Sequence, residues 1–266
     1  MTRRRPLAPL VLALHQTPAR PSWAPMAVDR GTLRRVLGTL LERGYRFPPL
    51  RSVGPEGPAE GEALLTVDDG YGSTHDVLAP LALELGIPWS VFVVVGAVGG
   101  RNDWDVHGVA APERHLRREE IRALAESGVA IGSHGMTHRD FTKLDDRSLA
   151  SELRDSRAWL EGATDRRVDA ISYPWGREDA RVAAAARAAG YRIAFGLRAP
   201  RGRHDADASR RAVRRTALYA PDRIPGLFRA TALASPRAGR ALRDAAGAAA
   251  SWLVARTLAA TGRAHA

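Results

Sequence analysis

Two rhythms of apolar and polar positions alternate along this chain. Short, nearly continuous apolar runs are bounded by Gly, Pro or polar residues. Between them lie longer segments whose apolar residues recur every three to four positions. The runs predict strands buried on both faces, and the longer segments predict amphipathic helices. Leu10 to His15 reads as the first strand, between Pro9 and Pro18. A helix is expected from about Asp29 to Gly44, with Leu33, Val36, Leu37, Leu40 and Leu41 at helical spacing. The strand ALLTV follows a Pro/Gly-rich loop, then a helix from Ser73 to Leu85 stopped by Gly86, then the apolar strand PWSVFVVVG.

The second half repeats the scheme. A long loop, 96–114, carries Trp104 and His107 and leads to a helix from Arg117 to Ser127. A short strand, Val129 to Gly132, runs into SHGMTH. A helix near 146–161 precedes the strand Asp169 to Tyr173, which ends at Pro-Trp-Gly. A helix near 179–189 and a strand, Tyr191 to Leu197, complete the series. His75 and His115 fall in segments that read as helix. Strand and helix alternate without heptads or internal repeats, which predicts an α/β architecture on a parallel sheet, either closed like a barrel or open and doubly wound. Beyond about residue 220 the pattern changes to two helices, near 222–233 and 236–258, expected to cover the barrel. The division is a catalytic domain of residues 1–220 and a helical extension of residues 221–266.

In either architecture, ligands gather at the carboxyl ends of the strands. Those ends are His15, Asp68 with Asp69, Gly96, His134, and Tyr173 to Trp175, which include nearly every chemically capable residue in the chain. A single active face follows from that coincidence.

Composition narrows the chemistry. The 266 residues contain no cysteine, so disulfides and thiolate metal sites are excluded. The net charge of +11 comes from Arg scattered among Asp and Glu, with one lysine, Lys143. No aromatic residues interleave with it, so nucleic acid is not expected as a partner. The N-terminal MTRRRPLAPLVLAL imitates a secretion signal, but the run is broken by prolines and reads equally well as a buried strand. It falls short of the roughly 20 apolar residues that span a bilayer.

His134 and His138 stand four apart and can present two imidazoles to one metal ion. Gly135 excludes the His-Glu-x-x-His peptidase pattern. A carboxylate from another strand end, Asp68 or Asp69, completes a two-histidine, one-carboxylate set. Adjacent acids then divide the labour, one as ligand and the other as base beside the activated water.

Thr66-Val67-Asp68-Asp69-Gly70 resembles the Thr-Phe-Asp-Asp-Gly motif of the polysaccharide deacetylases, the NodB-homology or family-four carbohydrate esterases. His134-Gly135-Met136-Thr137-His138 resembles the second motif of that family, His-Ser/Thr-x-x-His, with Gly135 in place of the hydroxyl residue. Ser172-Tyr173-Pro174-Trp175-Gly176 resembles the third, Arg-x-Pro-Tyr. The resemblance covers residues from about 10 to 220 and implies a distorted (β/α) barrel.

The resemblance also implies roles. Asp68 is the base, and Asp69, His134 and His138 hold a divalent metal, zinc in the first place, with cobalt, nickel or iron also compatible. The backbone N–H of Trp175 helps bind the oxyanion. Two departures stand out. The third-motif Arg that braces the base corresponds to Ser172, and no strand with the late Leu-x-His pattern of the general acid follows residue 197. The leading Leu12-Ala13-Leu14-His15 is similar to the strand that fills that place in a circularly permuted branch of the family, which includes the exopolysaccharide poly-N-acetylglucosamine deacetylases. His15 is thus expected as the acid, against a structural strand-end histidine as the alternative.

The implied function is removal of N-acetyl groups from an N-acetylated sugar, glycan or lipid-linked sugar. The alternatives are hydrolysis of a non-sugar amide or cyclic ureide, or glycan or membrane binding by a vestigial site. Tyr71, Trp104, His107 and Pro174 are the expected substrate contacts; packing is the other reading of Trp104, and a surface loop that of His107. A catalytic His15 requires that the N-terminus be kept, which implies a cytoplasmic protein, free or peripheral at the inner membrane face.

Overall fold

The computed structural model describes residues 7–19, 26–101, 104, 113–197 and 212–218. The expected helical extension and His107 lie outside them. The elements are β1 (Leu10–Leu14), α1 (Arg30–Glu42), β2 (Ala63–Val67), α2 (Ala79–Leu85), β3 (Trp89–Val93), α3 (Arg118–Glu126), β4 (Ala130–Ser133), α4 (Asp146–Thr164), β5 (Ala170–Ser172), α5 (Ala180–Ala188), β6 (Ile193–Gly196), β7 (Val213–Arg214) and β8 (Thr216–Ala217). Aspartates start three of the helices: Asp29, Asp145 and Asp179 accept from the backbone N–H groups of Thr32, Ser148 and Val182. Each satisfies a donor that the first helical turn leaves unpaired.

The sheet runs β7-β6-β5-β4-β3-β2-β1-β8, and every pairing is parallel. Its two ends are one passage of chain. Val213 and Arg214 pair with Phe195 and Gly196 of β6, and Thr216 and Ala217 pair with Leu12 and Ala13 of β1. The sheet therefore closes into a barrel, and Arg215 sits at the closure. These two short strands extend the series beyond Leu197, where the pattern ends it, and neither carries a Leu-x-His pattern. Two residues of ladder on either side are too few to generate a readable alternation.

Two smaller differences have local causes. The expected helix over Ser73 to Leu85 begins with a π-helical turn, Thr74–Leu78, before α2. Pro80 has no N–H to give to a regular turn, so the ladder is reset there. His115 lies ahead of α3, bridged antiparallel to Tyr71, and is not helical.

Side chains alternate across each strand. One set, including Leu12, Leu65, Val91 and Ile131, packs with the helices. The other set fills the barrel with Val11, Leu64, Phe92, Ala170, Ile193, Phe195 and Val213. Gly132 belongs to the inner set: a Cβ there would lie 2.4 Å from the Phe92 ring, so the ring occupies the space itself. Continuing the inner alternation one or two steps past the apolar plug reaches His15, Asp68, His134, Ser172 and Arg215. The period of two that builds the core thus also aims the chemistry into the barrel mouth.

Candidate active site

Asp68 continues the β2 ladder, its N–H donating to the Leu14 carbonyl at 2.8 Å. Its carboxylate is buried and gripped by Arg215, with Nη1 to Oδ1 at 2.8 Å and Nη2 to Oδ2 at 2.6 Å. The guanidinium also donates to Thr66 Oγ1 at 3.2 Å and Ser172 Oγ at 2.8 Å, and lies 5.9 Å from the centre of the Phe195 ring. Burial opposes ionisation of Asp68, but Arg215, His134 and His15 outweigh it and hold its pKa below the ordinary value. A planar, two-pronged cation suits this task, because it fixes the carboxylate plane as well as its charge.

Arg215 is the functional residue that the sequence did not reveal. Position 172, where the related motif carries its Arg, is Ser. The structure places a guanidinium against that Ser from the closing strand instead.

The next residue turns the other way. Asp69 has φ of 68°, a left-handed conformation uncommon for a residue with a side chain. His115 Nδ1 donates to its backbone carbonyl at 3.0 Å, and Leu116 N–H donates to the Gly70 carbonyl at 2.8 Å, so the 115–116 segment holds the turn. The Asp69 Oδ1 atom then faces His134 Nε2 at 3.3 Å and His138 Nε2 at 3.5 Å.

His134 donates from Nδ1 to the Ser172 carbonyl at 2.7 Å, which leaves Nε2 free to point at Asp69. His138 also has a positive φ, 59°. Its ring lies between two indoles, with centroids 4.7 Å from Trp104 and 4.9 Å from Trp175, and Trp175 Nε1 donates to its carbonyl at 3.1 Å. Burial opposes ionisation of Asp69, but the close approach of His134 and the electrostatic influence of His138 and His15 depress its pKa strongly. Burial also opposes a charge on His134; Asp68 and Asp69 overcome it and raise the pKa. At His138 burial prevails, pushing the imidazole down to about 3.

These three residues fit a divalent cation. Their ligand atoms lie within 4.8 Å of one another. Asp69 Oδ1 is buried and receives no hydrogen bond among the described residues, although it faces two imidazole nitrogens. One carboxylate and two imidazoles leave open coordination positions, as a hydrolytic site requires, and are compatible with zinc, cobalt, nickel or iron. A second cluster, His75, Asp76 and Glu120, already contains a cation: Arg114 bonds Asp76 at 2.9 Å and Glu120 at 2.7 Å.

The remaining expected residues fall around this centre. His15 follows β1, with Nδ1 buried and unpaired among the described residues, and it acts electrostatically on Asp68, Asp69 and His138. Trp175 has φ of 61° in the turn after β5, and Pro174 is buried beside it. Tyr71 is fully buried, its ring 4.5 Å from that of His115. Trp104 packs on His138 and His115. No described helix is long and apolar enough to cross a membrane.

The family model for polysaccharide deacetylase matches residues 56–194, and the chain belongs to this family. The candidate polysaccharide deacetylase YxkH of Bacillus subtilis is 26% identical over 136 residues, which are 51% of this chain and 44% of YxkH. The chain thus spans less than half the length of that relative. Among solved structures, Streptococcus pyogenes deacetylase PplD in complex with acetate superposes with a TM-score of 0.64 at 20% identity, covering 81% of this chain and 94% of PplD. The de-N-acetylase from Aggregatibacter actinomycetemcomitans gives 0.60 at 16% identity, over 78% and 93% of the two chains. At these identities the superpositions establish the barrel.

Proposed function

We propose that this chain is a metal-dependent hydrolase that removes an N-acetyl group from an N-acetylated sugar or glycan. One observation carries the reading: a carboxylate held ionised by a buried guanidinium, Asp68 with Arg215, stands directly beside an Asp-His-His ligand set. The names of two neighbours, a deacetylase with acetate and a de-N-acetylase, support the choice of acyl group.

Asp69, His134 and His138 would hold the cation, which supplies Lewis-acid activation of water and of the acetamide carbonyl when bound. Asp68 accepts the proton of the attacking water. Arg215 keeps it deprotonated and fixed in plane while it does so. The Trp175 N–H donates to the oxygen on which charge develops. His15 gives a proton to the nitrogen as the carbon–nitrogen bond breaks, so the products are acetate and a free amine. On this reading any processing of the N-terminus leaves His15 in the chain. The vestigial-site alternative has two motives, the absent third-motif Arg and the basic C-terminal segment; Arg215 speaks against the first, and the second lies outside the described residues.

The test is acetate release by metal-depleted enzyme reloaded with zinc or cobalt, on N-acetylglucosamine oligomers, on lipid-linked N-acetyl sugars and on small non-sugar amides. Metal-dependent acetate release from the sugars is expected. Turnover confined to the small amides would overturn the sugar assignment.

A further inference from the structure

The segment between the two histidine ligands is secured by a buried acid that belongs to neither motif. The inward stripe of α4 comprises Leu149, Glu152, Leu153, Ser156, Leu160 and Ala163. Glu152 occupies a core position where an apolar side chain would be expected, and it is 6% exposed. A carboxylate there is costly unless its oxygens are satisfied. No Arg, Lys or His forms an ion pair with it among the described residues. Its bonds run to the ligand loop instead: Oε2 accepts from Met136 N–H at 2.6 Å and Thr137 N–H at 3.1 Å, and Oε1 accepts from the Thr137 hydroxyl.

Other backbone groups of the loop are also bonded. His134 N–H donates to the Val93 carbonyl at 2.9 Å, and Gly135 N–H donates to Ser133 Oγ at 3.0 Å. The Gly135 and Met136 carbonyls accept from Val95 and Gly96 at 3.1 and 2.8 Å, and the His138 carbonyl from Trp175 Nε1 at 3.1 Å. Among the described residues, Glu152 is the one side chain on a helix that binds this loop through a carboxylate. Gly135 also acquires a reason. Its φ is 81°, and a Cβ there would lie 2.9 Å from Glu152 Oε2 and 2.9 Å from Phe141 Cζ. The clamp occupies the space that a hydroxyl residue would need.

We infer that Glu152 is a positioning residue for metal binding: it sets the backbone of the 134–138 loop so that both imidazoles reach the ion that Asp69 shares. The inference rests on the proposed metal site. It acts through hydrogen-bond acceptance, so Gln should largely substitute for Glu. Its oxygen can take the two N–H groups while its amide donates to the Thr137 hydroxyl. Met, of similar volume and without a strong acceptor, should not.

The experiment is zinc affinity by competition with a chromophoric chelator, measured beside the melting temperature of each metal-free variant. Glu152→Met is expected to lose about 10- to 100-fold in affinity, as supporting residues behind metal ligands typically do, with a metal-free melting temperature close to that of the unsubstituted protein. Glu152→Gln should stay within about threefold of it. Equal affinity of Glu152→Met and the unsubstituted protein would overturn the inference, as would equal losses in Met and Gln. If the unsubstituted protein binds no zinc, the metal site itself fails, a distinguishable result. Should Glu152→Met not fold, Thr137→Val carries the test, because Thr137 is exposed and only one bond is deleted. A loss of at least about threefold supports the clamp, and an unchanged affinity overturns it.

Discussion

Arg215 and Asp68 are 147 residues apart in sequence and meet through two parallel bonds inside the barrel mouth. The pair joins the residue between β7 and β8 to the end of β2 and is formed only when the barrel closes. Closure of the fold therefore also brings in the cation that keeps the buried base ionised. The arrangement also gives Ser172 a place where the related motif carries Arg: the guanidinium comes from the closing segment and donates to the Ser hydroxyl as well as to Asp68 and Thr66.

Replacing Arg215 by Met should affect stability and catalysis together. The side chain is fully buried, and removing one partner of a buried ion pair costs about 3–5 kcal/mol. The freed Asp68 should titrate higher, so the acid limb of the rate profile moves to higher pH while zinc remains bound. A rate profile unchanged in shape would remove Arg215 from any role in tuning the base.

The two adjacent acids should separate cleanly. Asp69→Ala is expected to lose bound metal and activity together. Asp68→Asn should keep most of the metal and lose about 100- to 10,000-fold in rate, the usual worth of a general base. Metal content by elemental analysis, read beside turnover, decides between these roles. Loss of metal from Asp68→Asn would contradict the division.

His15→Asn tests the leaving-group proton. An amine needs that proton to depart, whereas a phenolate of low basicity does not. The variant should therefore be slowed at least about 100-fold on N-acetyl sugars and far less on an aryl acetate. Equal loss on both substrates would mean that His15 acts on something other than the departing nitrogen.

Metal-free protein should be most stable near pH 6.5. His138 is pushed down to about 3, so its contribution is complete above 6.5 and is lost as pH falls from 6.5 toward 3. His134 is raised, so its contribution is complete below 6.5 and is lost as pH rises through the folded value. Melting temperatures in chelator between about pH 4 and pH 9 should trace that maximum, and His134→Asn should flatten the alkaline side. A monotonic profile would show that other groups dominate.

Much of this protein was written locally. The apolar runs of β1, β2 and β3 declare strands because both faces of a parallel sheet are buried, and the caps Asp29 and Asp179 mark helix starts because a short carboxylate satisfies the first free N–H groups. Asp68, Asp69, His134 and His138 stood out because they gather in two tight groups at strand ends. What only the tertiary structure decided are the residues that act across the barrel. Arg215 lies in a closing strand whose ladders are two residues long on each side, His115 reaches the Asp69 carbonyl from 46 residues away, and Glu152 sits on an ordinary helical stripe. Periodicity registers the face on which a side chain lies within its own element. It carries no information about which distant backbone or carboxylate will be waiting there, because that is set by closure of the sheet and the packing of helices on it.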